Sequence, residues 1–197
     1  MIGFIQGQID SLDLTQVLLD VGGIGYEIRI SVNTYSQIKD LEEVRLYTYL
    51  QIRDDAHVLY GFFETREKSL FTQLISVSGI GPSTAIMILS SLNVGEIEDA
   101  IAAGDVMTLK GIKGIGQKSA ERIIVELKDK IRKEKGYDRS AESLAGNQGL
   151  ARKEALSALI TLGIQKSTAE KMIQATIQKY GRNMSVEELI KLSLKSA

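Results

Sequence analysis

Apolar positions in the first 63 residues follow a period of two or gather in short runs, at residues 2–9, 16–21, 26–30, 44–51 and 58–63. These segments are rich in Ile, Val, Leu and Tyr, side chains that suit a pleated, half-buried surface. Asp10-Ser11, Gly22-Gly23 and Asp54-Asp55 interrupt them with turn-forming residues. Between the third and fourth segments, residues 33–39 predict a short helix with Asn33 as its cap. Five short strands with an insertion after the third fit a small barrel of the OB type, with a five-stranded open sheet as the alternative.

After Phe63 the period changes to that of a helix and stays there through residues 64–135. Residues 136–149 (GYDRSAESLAGNQG) hold three glycines and scattered polar side chains, and read as a flexible linker. Beyond it, residues 152–162, 166–179 and 186–194 place apolar side chains at helical spacing, separated by Gly163 and by Gly181-Arg182-Asn183. Ser185 and Glu188 have the spacing of a capping box for the last helix. The fold class is therefore α+β multidomain: a barrel over 1–63, a helical domain over 64–135, a linker over 136–149 and a three-helix bundle over 150–197.

Within the helical domain the chain repeats itself. Leu74-Ile75-Ser76-Val77-Ser78-Gly79-Ile80-Gly81-Pro82-Ser83-Thr84-Ala85 returns 35 residues later as Leu109-Lys110-Gly111-Ile112-Lys113-Gly114-Ile115-Gly116-Gln117-Lys118-Ser119-Ala120. Each copy has an apolar helix end, a Gly-Ile-Gly turn and a second helix, the pattern of a helix-hairpin-helix. The tight turn calls for positive φ, and a residue without a side chain lets a phosphate approach the backbone. Ile80 and Ile115 can pack beneath the turns and lock the helices together. The second helix then points unpaired N–H groups and its positive dipole end at a phosphate oxygen. Pro82 suits the first helical turn, where its missing N–H costs no bond. A single Gly-x-Gly between helices is equally an ordinary αα-hairpin. Two copies at one spacing point to DNA phosphate binding without sequence preference, because backbone amides carry no base code. In the second copy Lys113 lies in the hairpin, and Lys118 and Arg122 follow one turn apart. In the first, Ser83 and Thr84 offer only hydroxyls, so that hairpin is expected to contribute less.

The overall net charge of −1 conceals a division. Residues 1–63 carry nine acidic and four basic side chains, whereas residues 110–133 carry eight basic and three acidic. A local basic surface can bind phosphate without a high overall pI. There is no cysteine and one histidine, His57, expected at a packing or surface position of a strand. That inventory leaves little room for zinc sites or Cys/His and Ser/His nucleophile pairs. No Walker-type phosphate loop is present, and no cofactor is expected. No apolar run is long enough for a membrane helix and no basic segment precedes the N-terminal apolar residues, so a cytoplasmic location is the default. Two other functions stay open on the residues alone. A helix-hairpin-helix DNA glycosylase or lyase could use Lys118 as its catalytic amine. A single-strand-binding OB protein could stack bases on Tyr47, Tyr49, Tyr60, Phe62 and Phe63, which otherwise serve as core or subunit contacts.

The opening Met1-Ile2-Gly3, the stretch Val21-Gly22-Gly23-Ile24-Gly25-Tyr26-Glu27, the turn Arg53-Asp54-Asp55-Ala56 leading into Leu59-Tyr60-Gly61-Phe62, and both hairpins in this order resemble the RuvA family. The resemblance covers almost the entire chain. It implies a flat four-fold tetramer, singly or as a pair, that holds four-way (Holliday) junction DNA open for recombination and repair, including the SOS response. It further implies recruitment of a RuvB-type hexameric ATPase for branch migration, work alongside a RuvC-type junction resolvase, and no catalysis by this chain. Phosphate contacts are implied for Gly79, Gly81, Gly114, Gly116 and Lys118. Family members often carry lysine where this chain has Ser83. Asp54 and Asp55, an ordinary polar turn when taken alone, become by resemblance an acidic pin that repels phosphates at the junction centre. Leu159, Leu162, Ile164 and Leu194 match positions that dock onto the motor, with plain core of the three-helix bundle the alternative for at least one of them. Ile164 is expected to be the best placed of these, in a turn after Gly163 where burial is not required.

Overall fold

The computed structural model describes residues 2–134, 146–181 and 184–195, and the chain divides into two compact units, Met1–Tyr137 and Asp138–Ala197. In the first unit β1 (Phe4–Asp13), β2 (Gln16–Asp20), β3 (Gly25–Arg29), β4 (Glu43–Ile52) and β5 (His57–Phe62) close into a barrel in the order β1-β2-β3-β5-β4. The pairings are antiparallel except β3 with β5, which is parallel. Closure, rather than the open-sheet alternative, leaves no unpaired edge. The alternation seen in the sequence turns Val17, Leu19, Ile28, Val44 and Leu46 inward, where they are buried with Ile5 and Ile30. β1 runs through Asp10-Ser11, which the pattern assigns to a turn. A register shift between Ile9 and Ser11 absorbs them as a bulge.

The insertion helix α1 (Val32–Ile38) is capped by Ser31 and not by Asn33. The Ser31 hydroxyl accepts from the Thr34 N–H at 2.9 Å. Five helices follow: α2 (Thr65–Ser76), α3 (Pro82–Ser91), α4 (Val94–Ala103), α5 (Val106–Lys110) and α6 (Gln117–Glu134). Asn33 turns its amide to the end of α3, donating to the Leu89 and Leu92 carbonyls at 2.6 and 2.9 Å. It thereby satisfies carbonyls that a helix end leaves without partners. Glu67 of α2 is almost wholly buried and accepts from the hydroxyls of Ser31 and Thr34 at 2.5 and 2.6 Å. Burial pushes its carboxyl pKa up against the pull of those two bonds.

Beside the barrel's own core, a second apolar core crosses residue 63 and joins Tyr60 and Phe62 of β5 to the helices. The Phe71 ring of α2 lies 4.8 Å from Phe62, 5.3 Å from Tyr60 and 5.4 Å from Tyr49. These aromatic side chains therefore pack between barrel and helices and present no base-stacking platform. Regions 1–63 and 64–135 form a single compact unit because that core would otherwise be split. His57 is exposed at the start of β5.

The second unit consists of α7 (Gly146–Thr161), α8 (Lys166–Tyr180) and α9 (Val186–Lys195). The predicted linker over 136–149 lies outside the described residues as far as 145, and its last four residues are already helical. Ala155, Leu159, Ala169, Ile173 and Leu189 are the core of this bundle. The capping box forms as expected, with Ser185 Oγ accepting from the Glu188 N–H at 3.2 Å and Glu188 Oε2 accepting from the Ser185 N–H at 3.0 Å. None of the described helices is long and apolar enough to cross a membrane.

Candidate nucleic-acid interface

The 35-residue repeat in sequence is a repeat in hydrogen bonding. The Val77 N–H donates to the Leu74 carbonyl at 3.1 Å, Ile80 to Val77 at 3.0 Å and Ala85 to Gly81 at 2.9 Å. Shifted by 35, Ile112 donates to Leu109 at 3.2 Å, Ile115 to Ile112 at 3.0 Å and Ala120 to Gly116 at 3.0 Å. Ile80 and Ile115 are both buried beneath their turns.

The glycines of each hairpin serve different needs. Gly79 and Gly114 have φ of 89° and 86°, a region where any other L-residue costs about 1–2 kcal/mol. Gly81 and Gly116 are not in that region, and a Cβ on either would meet nothing within 4 Å. Nothing in the fold requires those two to be glycine. Gly81 is the N-cap of α3, at φ −87°, and no side chain caps the helix. A Ser, Thr, Asn or Asp there would satisfy one of the free amides. Glycine instead leaves the first-turn amides open, in the arrangement that receives an anion.

Ser83 is exposed near the start of α3, and Lys113, Lys118 and Arg122 are exposed around the second hairpin and the start of α6. Arg122 is already engaged: its Nη1 donates to the Ser78 carbonyl of the first hairpin at 2.9 Å. The residue 35 positions earlier, Met87, does the converse. A Cβ on Gly79 would sit 3.7 Å from Arg122 Nη1, and one on Gly114 would sit 3.6 Å from Met87 Sδ. Each second helix thus sets a side chain against the turn of the other hairpin. The charge count alone treats Arg122 only as a cation and passes over Met87. Aligning the two copies and asking which positions correspond would have found the pair.

At the tip of the β4–β5 hairpin the last paired residues are Ile52 and His57. The Arg53 N–H donates to the Ala56 carbonyl at 2.9 Å and closes the turn, leaving Asp54 and Asp55 exposed. Among the described residues no three His, Cys, Asp or Glu side chains converge as a metal-binding group.

In the second unit the four motor-docking candidates separate. Leu159 is fully buried in the bundle core, the alternative left open for at least one of the four. Ile164, the favoured docking candidate, is half-buried against the same core. The cause is a Schellman ending of α7: Gly163 N–H donates to the Ile160 carbonyl at 2.9 Å and Ile164 N–H to the Leu159 carbonyl at 3.1 Å, with Gly163 at φ 89°. This motif carries an apolar contact between the residues at its two ends, here Ile164 and Leu159. Leu162 and Leu194 are 62% and 43% exposed.

A closed five-stranded barrel packed on a duplicated helix-hairpin-helix is the architecture of a DNA-binding protein. Residues 1–61 match the RuvA N terminal domain, residues 71–129 the SAM-like helix-hairpin-helix tandem, and residues 150–197 the RuvA C-terminal domain. Two relatives, from Cytophaga hutchinsonii and Amoebophilus asiaticus, are each 47% identical to it, with 99% of this chain and 99% and 100% of theirs covered. A third, from Christiangramia forsetii, is 45% identical over 99% of both chains. All three bear the name Holliday junction branch migration complex subunit RuvA. The chain belongs to the RuvA family.

Proposed function

We propose that this protein binds four-way junction DNA through its phosphate backbone and delivers it to a separate ATP-driven motor, doing no chemistry of its own. The observation that carries this is the pair Gly81 and Gly116, which immediately precede α3 and α6 and are glycine without any need of the fold, Gly81 as an N-cap with no side-chain bond. The name shared by the full-length relatives supports the junction as substrate. Gly79 and Gly114 shape the two turns, Lys113 and Lys118 supply charge at the second, and Ser83 a hydroxyl at the first. The working form is a homotetramer, alone or as a face-to-face pair, acting in the cytoplasm. Four copies of the exposed Asp54-Asp55 turn face the junction centre as a pin. The second unit, on its linker, docks a RuvB-type hexameric ATPase through Leu162 and Leu194, and a RuvC-type resolvase acts on the same assembly.

The test of the interface is a variant with both Gly81→Ala and Gly116→Ala. The added methyls fit the folded protein, so melting should be unchanged while junction affinity falls by well over tenfold. Undiminished binding by the folded variant would remove both helix N-termini from the interface. The motor contact is tested by Leu162→Asp, which should spare junction binding and abolish motor-driven branch migration. Normal migration would put that contact elsewhere.

A further inference from the structure

The first hairpin lacks the cation of the second, since Ser83 stands where the 35-residue shift puts Lys118. A cleft of about 340 Å³ opens beside Ser83, between α3 and the barrel, lined by Thr15, Gln16, Arg29, Tyr60, Ser83 and Ile86. The barrel side is held as one edge: Gln16 pairs with Arg29 across β2 and β3, Arg29 pairs with Tyr60 across β3 and β5, and the Ile30 N–H donates to the Thr15 carbonyl at 3.0 Å.

Arg29 is exposed, and its guanidinium has no hydrogen-bond or ion-pair partner among the described residues. The barrel's other arginine on a strand, Arg45, is committed: it lies over the Phe4 ring at 4.5 Å and donates to Gln6 Oε1 at 2.8 and 3.0 Å. A strongly acidic barrel therefore turns one uncommitted guanidinium into a polar cleft against the hairpin that has no lysine. Guanidinium offers five donors in a fork that matches phosphate oxygens.

We propose that Arg29 holds a DNA backbone phosphate in this cleft, together with the Ser83 hydroxyl, and so supplies from the barrel the charge that Lys118 supplies on α6. This rests on the junction-binding role proposed above. It makes the barrel, and not the helices alone, part of the phosphate-reading surface, and it makes the two hairpins near equals.

The test is Arg29→Gln in the full chain, with Lys39→Gln as a control that removes an exposed barrel charge outside the cleft. Junction affinity should fall about tenfold or more for Arg29→Gln, the value of one charge-assisted hydrogen bond. The slope of log affinity against log salt should flatten by about 0.9 per lost contact per subunit. Lys39→Gln should leave that slope unchanged. Adding Ser83→Lys to Arg29→Gln should restore both affinity and slope, since it moves the cation across the cleft. A wild-type slope in Arg29→Gln, or a Lys39→Gln effect of equal size, overturns the assignment of Arg29. If the wild-type chain itself fails to bind the junction, the proposed function falls as well. If Gly116→Ala weakens binding while Arg29→Gln keeps wild-type affinity and slope, only the present inference is lost.

Discussion

Arg122 Nη1 lies 2.9 Å from the carbonyl oxygen of Ser78, so the second hairpin's helix holds the first hairpin's turn. One bond of this kind between exposed groups contributes about 1 kcal/mol or less to stability. Its effect should instead be on geometry. Arg122→Ala is expected to speed amide exchange at residues 78–81 and weaken junction binding, with little change in melting. Lys118→Ala should weaken binding without altering exchange in the first turn. Equal exchange in the two variants would mean that Arg122 acts only as a cation.

The two glycines of the second hairpin should separate stability from binding. Gly114→Ala forces a side chain onto φ of 86° and should cost about 1–2 kcal/mol in chemical denaturation. Gly116→Ala has open space and should keep wild-type stability while losing junction affinity. Gly3→Ala, also in open space but away from both hairpins in the sequence, is the control. Gly146, an exposed loop residue on the sequence pattern, cannot serve, because it begins α7. A Gly116→Ala variant that melts early and binds normally would reverse the two roles.

Asp54 and Asp55 sit at a turn tip facing a polyanion in the proposed assembly, so they oppose binding and act through discrimination. Changing both to Asn preserves turn propensity and removes two negative charges per subunit. Junction binding should be unchanged or tighter, duplex binding should gain more, and the junction-to-duplex ratio should drop. Gel shifts on both substrates at several salt concentrations measure this. Weaker junction binding with duplex untouched would make the carboxylates ligands or anchors.

Glu67 makes a separate statement about stability. Its folded pKa is raised chiefly by burial, so between the ordinary glutamate value and the raised one the folded state binds more protons than the unfolded. Stability should therefore fall as pH rises through that window and level off above it. Glu67→Gln should abolish this part of the pH dependence, as followed by urea denaturation from pH 4 upward. A parallel pH profile for the two proteins would show that Glu67 does not titrate differently on folding.

The hairpins were legible because their requirement is local: a positive φ and an open helix start each demand glycine at a fixed offset. The five strands were legible from alternation, although Asp10-Ser11 misled, since a bulge tolerates turn residues inside a strand. The cap of α1 was missed by two residues because Ser31 and Asn33 are both good caps, and what decides is the tertiary demand of Leu89 and Leu92 for the Asn33 amide. The partial burial of Ile164 was not legible because the Schellman turn folds it back on Leu159, a contact that helical periodicity does not contain. Arg29 was invisible as a site residue, since its neighbour Ser83 is more than fifty positions away and only the packing of the barrel on α3 brings them to one cleft.

The most direct measurement is competition at equilibrium for the wild-type protein bound to a labelled four-way junction. The competitors are unlabelled duplex and single strand built from the junction's own arm sequences, and the solution mass is recorded alongside. The account predicts that either competitor must exceed the junction by more than about tenfold, some 1.4 kcal/mol of preference, to displace half of it. Displacement by duplex at parity, or by single strand more readily than by junction, would contradict it.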